Sequence, residues 1–221
     1  MSGAGSDVFG RIYKDHRWGG TSKSGPGSDP ELLQVYLQCV RSVLGRTDIA
    51  SVVDVGCGDW ATSKMIDWGT RTYTGIDVVP ELVDELNSRF ARDNVTFACR
   101  NFITDGLPRA DLCIIKDVLQ HLSSAAVYRF LDTMKTQFRF ALITNDISHE
   151  ARVGWRWWRT HALPCNGDIP NGGYRPLRLT APPFSLQARQ LNVIKFKFVR
   201  ELSGKPGTIT EVKEILWWER P

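Results

Sequence analysis

Apolar positions recur along the chain first at helical and then at strand spacing. Leu32, Leu33, Tyr36, Leu37, Val40 and Leu44 fall on one helical stripe, so a helix is expected to open at Ser28-Asp29-Pro30-Glu31 and to end at Gly45. That opening combines a capping side chain, a proline where its missing N–H is tolerated, and an acid near the positive end of the helix. Short buried strands are expected at 51–55, 72–76, 95–99, 112–116 and 140–144, with helices at 61–66, 80–91 and 123–138 between them. This rhythm predicts an α/β fold, a Rossmann-like doubly wound sheet that is mostly parallel. Residues 193–201 and 208–218 alternate with period two around Gly204-Lys205-Pro206-Gly207, which predicts an antiparallel C-terminal pair completing seven strands.

Two stretches break the rhythm. Residues 1–28 are rich in Gly and Ser and are expected to form an arm with no regular core element. Residues 146–186 lack clear periodicity yet carry Trp155, Trp157 and Trp158, an aromatic load that argues against disorder and for a lid or substrate-binding insertion. The expected organisation is one domain over 1–221 with these two appendages.

Composition narrows the setting. The chain has 221 residues, 42% of them hydrophobic, enough for one full core. No apolar run is long enough to span a membrane, and the first residues lack the apolar stretch of a secretory signal. The five cysteines are odd in number and show no CxxC spacing, so a reduced, cytoplasmic location is expected. A net charge of +4 without a long basic tract disfavours a nucleic-acid partner. The sequence leaves oligomeric state open, and a homodimer is compatible with it.

The candidate chemistry centres on Val52-Val53-Asp54-Val55-Gly56-Cys57-Gly58-Asp59-Trp60. A buried strand here runs into a glycine turn, where the backbone can approach a ligand at the carboxyl end of the sheet. Asp77 ends the next strand, where a carboxylate can hold both hydroxyls of a ribose. Gly56-x-Gly58-x-x-Ala61 also fits the loose dinucleotide pattern, so an NAD enzyme is the competing reading. Three features oppose it: Asp54 sits inside the strand two residues before the first glycine, a helix precedes that strand, and the chain ends in an antiparallel pair.

At these residues the sequence resembles the class I S-adenosylmethionine-dependent methyltransferases, over roughly 28–145 and 190–218. The resemblance implies S-adenosylmethionine as cofactor. Asp54, Gly56, Cys57 and Gly58 would lie along its methionine part, Asp77 and Val78 at the ribose, Asn101 and Phe102 near the adenine, and Lys116 in the same pocket. Trp60 stands where the family often has a third glycine.

The strand ends supply candidates for the transfer step. Asp117, Asn145 and Asp146 offer three oxygen ligands suited to Mg²⁺, as in metal-dependent O-methyltransferases; the alternative is that they cap loops. His121 and His149 follow the same strand ends and are the candidate general bases. Trp155, Trp157, Trp158, Tyr174 and Arg175 are the candidate acceptor contacts. The arm with Gly172-Gly173-Tyr174-Arg175-Pro176-Leu177 resembles a bacterial subset of the class that includes sugar O-methyltransferases, which implies a saccharide hydroxyl as acceptor, such as the 1-OH of a 3-O-methylated mannoside. The expected partner is thus a small-molecule or oligosaccharide acceptor. The alternatives are a methyltransferase for a natural product, protein or nucleic acid, and a binding module that holds the cofactor without catalysis.

Overall fold

Five strands run parallel through the centre of the protein: β1 (Ser51–Val55), β2 (Thr72–Asp77), β3 (Val95–Cys99), β4 (Ala110–Lys116) and β5 (Phe138–Asp146). Two long antiparallel strands, β6 (Arg189–Leu202) and β7 (Lys205–Glu219), complete a seven-stranded sheet in the order β3-β2-β1-β4-β5-β7-β6. The computed structural model describes residues 4–15, 33–148, 164–202 and 205–221. Among the described residues the α-helices are α1 (Ala4–Lys14), α2 (Gln34–Leu44), α3 (Pro80–Phe90) and α4 (Ser124–Gln137). The predicted Rossmann-like sheet with its antiparallel C-terminal pair is therefore the observed fold.

Alternation along the strands divides the core in two. Val52, Leu112, Ile114, Phe140, Leu142, Ile215 and Trp217 meet Tyr36, Leu37 and Val40 of α2 and Leu82, Val83 and Leu86 of α3. Val53, Val55, Cys113, Ile115, Ala141, Ile143, Leu216 and Trp218 meet Val127, Phe130, Leu131 and Met134 of α4. Helix α4 begins where the Ser123 hydroxyl accepts the Ala126 N–H at 3.3 Å, a side-chain cap for an otherwise orphaned donor.

Several boundaries differ from the sequence expectation for local reasons. The helix expected at 61–66 is only a 3₁₀ turn at Ser63–Met65, because the backbone is already extended at Ile66. Strand β5 starts at Phe138 and extends to Asp146, since both its ends pair with neighbouring strands. The arm does hold a core element: Ile12 of α1 is buried, and Phe9 packs against both halves of the core. Val8, Phe9, Ile12 and Tyr13 share one helical face, a short apolar stripe that the flanking glycines and serines obscure. The expected opening at Ser28–Glu31 lies outside the described residues. In the described half of the 146–186 insertion, Leu177, Leu179, Phe184 and Leu186 pack into the core on the α4 side.

Candidate active site

Sequential order reverses between β1 and β4, where the crossovers leave toward opposite edges of the sheet. A crevice is expected at such a switch point, beyond the carboxyl ends of the strands. The turn after β1 lies there, pinned by the Gly56 and Cys57 N–H groups, which donate to the Ile76 carbonyl at 2.7 and 3.0 Å. Gly56 and Gly58 both have left-handed backbones, with φ of 70° and 57°. A Cβ on Gly56 would collide with the Val118 side chain that follows β4, so glycine is needed for shape and for space.

Asp77 closes this turn from the neighbouring strand. Its Oδ2 accepts the Gly58 N–H at 3.1 Å, and its Oδ1 accepts the Val78 and Val79 N–H groups at 2.8 and 3.2 Å. Burial pushes its pKa up to about 6 despite these three donors. Asp54 is also buried, and one of its oxygens accepts from the Ser63 hydroxyl at 2.6 Å and the Tyr73 hydroxyl at 2.7 Å. Burial raises its pKa as well, against the pull of those hydroxyls.

The adenine-side candidates are placed differently from one another. The Asn101 side-chain oxygen accepts the Ile103 N–H at 3.0 Å, which shapes the turn after β3. Phe102 is a core residue, buried and edge-on to Phe130 at 5.7 Å.

Beyond β4 and β5 lies a cluster of charged side chains. Asp117 has a left-handed backbone, φ 59°, and its Oδ2 lies 2.8 Å from Lys116 Nζ and 2.6 Å from Lys213 Nζ. Burial would raise the Asp117 pKa, but the two ammonium groups hold it far below the usual carboxylate range. Burial pulls Lys116 down. It pulls on Lys213 too, yet the carboxylates of Asp117 and Glu211 prevail and raise it. Lys116 also stands over the buried Tyr36 ring at 5.8 Å. Lys213 and Tyr36 were not among the sequence candidates. Lys213 sits in Glu211-Val212-Lys213-Glu214, which reads as a solvent face until β7 is known to be an inner strand.

The expected magnesium site does not fit this arrangement. Asp117 is already bridged by two lysines. Asn145 and Asp146 are consecutive on β5, so their side chains leave opposite faces. Asp146 accepts the Tyr174 hydroxyl at 2.8 Å and the Ser148 N–H at 2.7 Å, whereas the Asn145 amide is buried on the other face with no hydrogen-bond partner among the described residues. Among the described residues, no group of three His, Cys, Asp or Glu side chains is placed to hold a metal ion.

His121 is brought to the same end of the sheet. Its Nδ1 donates to the Gly173 carbonyl at 2.8 Å, since a carbonyl oxygen can only accept. In the neutral ring this places the lone pair on Nε2. Burial lowers its pKa below the ordinary histidine value, so the ring is neutral at neutral pH. The Gly172 N–H donates back to the His121 carbonyl at 2.8 Å, clamping the segment to the insertion. Tyr174 lies 5.9 Å from the His121 ring and is partly exposed. Arg175 departs from its expected acceptor role: it is fully buried and donates to the Leu122 carbonyl. His149, Trp155, Trp157 and Trp158 lie outside the described residues.

The profile of the O-methyltransferase domain family matches residues 5–142. The chain belongs to that family, within the class I S-adenosylmethionine-dependent methyltransferase superfamily. No curated protein matches the sequence. Solved structures share the fold. The N-methyltransferase NodS from Bradyrhizobium japonicum WM9, in complex with S-adenosyl-L-homocysteine, aligns at a TM-score of 0.62 and 12% identity, covering 95% of this chain and 98% of that one. Magnesium protoporphyrin IX methyltransferase from Synechocystis PCC 6803, with the same product bound, aligns at 0.54 and 17%, covering 100% and 95%. TehB from Haemophilus influenzae aligns at 0.57 and 16%; 83% of this chain is covered but only 62% of TehB.

Proposed function

We propose that this chain is an S-adenosylmethionine-dependent O-methyltransferase for a small organic acceptor, with His121 as general base and no resident divalent cation. The observation that carries the reading is the pairing of two features at one end of the sheet. One is the left-handed glycine turn closed by Asp77; the other is a buried, neutral His121 oriented by Gly173. Asp77 would hold the ribose hydroxyls, and Gly56, Cys57 and Gly58 would lie along the methionine part with Asp54 beneath. Val78 and Lys116 would border the same crevice. The cofactor supplies a sulfonium-bound methyl group, already a good donor. What remains for the protein is to align the acceptor, exclude water and take a proton at His121 Nε2.

Mg²⁺ is set aside because the Asp117 carboxylate is committed to Lys116 and Lys213. A saccharide acceptor is implied by the resemblance carried by the arm and Gly172–Leu177, with Trp155, Trp157 and Trp158 as its contacts, and those three tryptophans lie outside the described residues. The structural relatives include an N-methyltransferase and a porphyrin methyltransferase, so the fold is compatible with diverse acceptors. A natural-product type of small molecule is therefore the broader reading, with sugars as one class within it.

The test is transfer from isotope-labelled S-adenosylmethionine to a panel of phenols, sugars, amines and carboxylic acids, with a peptide and an RNA alongside. Transfer to hydroxyl oxygen, lost in His121→Ala while S-adenosylhomocysteine still binds, is the expected result. Preferred transfer to nitrogen, to the peptide or to the RNA would overturn it.

A further inference from the structure

A groove open to solvent lies between α2 and the edge strand β6, on the face of the sheet that carries Trp217. Its volume is about 450 Å³, within the range of small-ligand pockets. The α2 residues that line it include Val35, Cys39, Ser42 and Val43, all short, so the helix does not fill the space up to the strand.

Strand β6 is bent toward this groove. Arg189 stands opposite Trp217 and Asn192 opposite Ile215, with Leu191 the extra residue of a bulge between them. In a regular strand, residues 189 and 192 would face opposite sides of the sheet. The bulge turns both to the α2 side, where Trp217 and Ile215 lie, and Arg189, Leu191 and Asn192 all line the groove.

The charge of the lining is of one sign. Its two charged side chains are Arg46 and Arg189. Arg46 is already engaged: its Nε and Nη2 donate to the Asp48 carboxylate at 2.9 and 2.8 Å. Its guanidinium lies 4.5 Å from the Phe140 ring centroid and 5.7 Å from that of Trp217, which fixes it as a wall. Arg189 is exposed at the mouth and has no ion-pair partner among the described residues. Burial pushes the Cys39 thiol pKa up, against the pull of an Asn192 hydrogen bond, so that lining group carries no negative charge at neutral pH.

We propose that this groove is a second ligand site, for a small planar aromatic carboxylate, with the Arg189 guanidinium on the carboxylate and the ring against Leu191, Val43 and Trp217. A guanidinium fork matches a carboxylate with two parallel hydrogen bonds. A cationic ligand would meet like charge, and a neutral one would leave Arg189 uncompensated. The site is separate from the glycine turn: Arg46 precedes β1 at the amino ends of the parallel strands, whereas the turn follows the carboxyl end of β1. The proposal therefore does not depend on the cofactor reading.

The experiment is calorimetric titration of the whole chain with 2-naphthoate and with its uncharged partner 2-naphthamide, each with and without excess S-adenosylhomocysteine. Saturable one-to-one binding of 2-naphthoate is expected, unchanged within about twofold by S-adenosylhomocysteine, with 2-naphthamide at least about tenfold weaker. Arg189→Gln should weaken 2-naphthoate by about tenfold or more, and Arg189→Lys by less. Leu191→Trp should block the groove and abolish binding. Arg89→Gln, a change in an exposed arginine on α3, should leave binding intact. No saturable binding, equal affinity for the amide, affinity unchanged in both Arg189→Gln and Leu191→Trp, an equal loss in Arg89→Gln, or displacement by S-adenosylhomocysteine would each overturn the proposal.

Discussion

The Gly58 N–H donates to Asp77 Oδ2 at 3.1 Å, so the turn after β1 is closed by the carboxylate that ends β2, nineteen residues further on. The carboxylate thus shapes the glycine turn, and in the proposed cofactor reading it would also accept the ribose hydroxyls. Replacing Asp77 with Asn removes the charge from both tasks. S-adenosylhomocysteine affinity should fall by about 1.5–3 kcal/mol, the range for hydrogen bonds to a charged group. Calorimetry on the folded variant checks this.

Burial places the Asp77 pKa at about 6. The folded chain binds this proton more tightly than the unfolded chain, whose aspartates titrate near ~4. The group's contribution to stability is therefore full below about pH 4 and lost as pH rises through about 6. Ribose binding has the opposite preference, because only the ionised form accepts two hydroxyls. Affinity for S-adenosylhomocysteine should weaken as pH drops below about 6, approaching tenfold per pH unit. An affinity that stays flat between pH 5 and 7.5 would show that Asp77 is not the ribose ligand.

Trp60 holds a left-handed backbone, φ 58°, that glycine would adopt without strain. Its ring is buried against Tyr73, Phe90 and Phe97, with centroids 6.0, 5.1 and 5.2 Å away. Trp60→Gly would relieve about 1–2 kcal/mol of backbone strain but forfeit about 3–5 kcal/mol of aromatic packing. Packing wins, so the variant should be less stable by roughly 2–3 kcal/mol in urea unfolding. An unchanged midpoint would contradict that balance.

Gly75 sits in β2 beneath the turn. A Cβ there would stand 2.7 Å from Phe97 Cδ1 and 3.0 Å from Cys57 Sγ. Gly75→Ala should cost about 1–3 kcal/mol through overpacking. Because Cys57 belongs to the glycine turn, the same change should also weaken S-adenosylhomocysteine binding. Paired melting and calorimetry traces test both effects.

His121 should matter for turnover and not for cofactor affinity. His121→Gln is expected to lower kcat by about 10²–10⁴ with unchanged S-adenosylhomocysteine binding. Burial lowers the His121 pKa, so the acidic limb of kcat should fall below the ordinary histidine range. EDTA should leave turnover intact, since the Asp117 carboxylate is balanced by lysines. A loss restored by Mg²⁺ would contradict that.

The sheet was legible because its signals are local. Ser51–Val55 and Val95–Cys99 are short apolar runs bounded by turns, and the glycine turn with Asp77 declares itself by spacing. The charged cluster was not legible, because it depends on which strands become neighbours. Asp117 and Lys213 are ninety-six residues apart and meet only through the β5–β7 pairing. Arg175 misled for the opposite reason: a guanidinium in a Gly-rich stretch reads as exposed, yet its neighbours Leu177 and Leu179 carry it into the core. Helix α1 was hidden because its apolar face is short and lies among glycines and serines.

Calorimetric titration of the purified chain with S-adenosylhomocysteine, with NAD titrated in parallel, is the most direct measurement. Saturable one-to-one binding of the nucleoside product, weakened in Asp77→Asn, with no binding of NAD, is the predicted result. Binding of NAD with none of S-adenosylhomocysteine would contradict the assignment of the glycine turn.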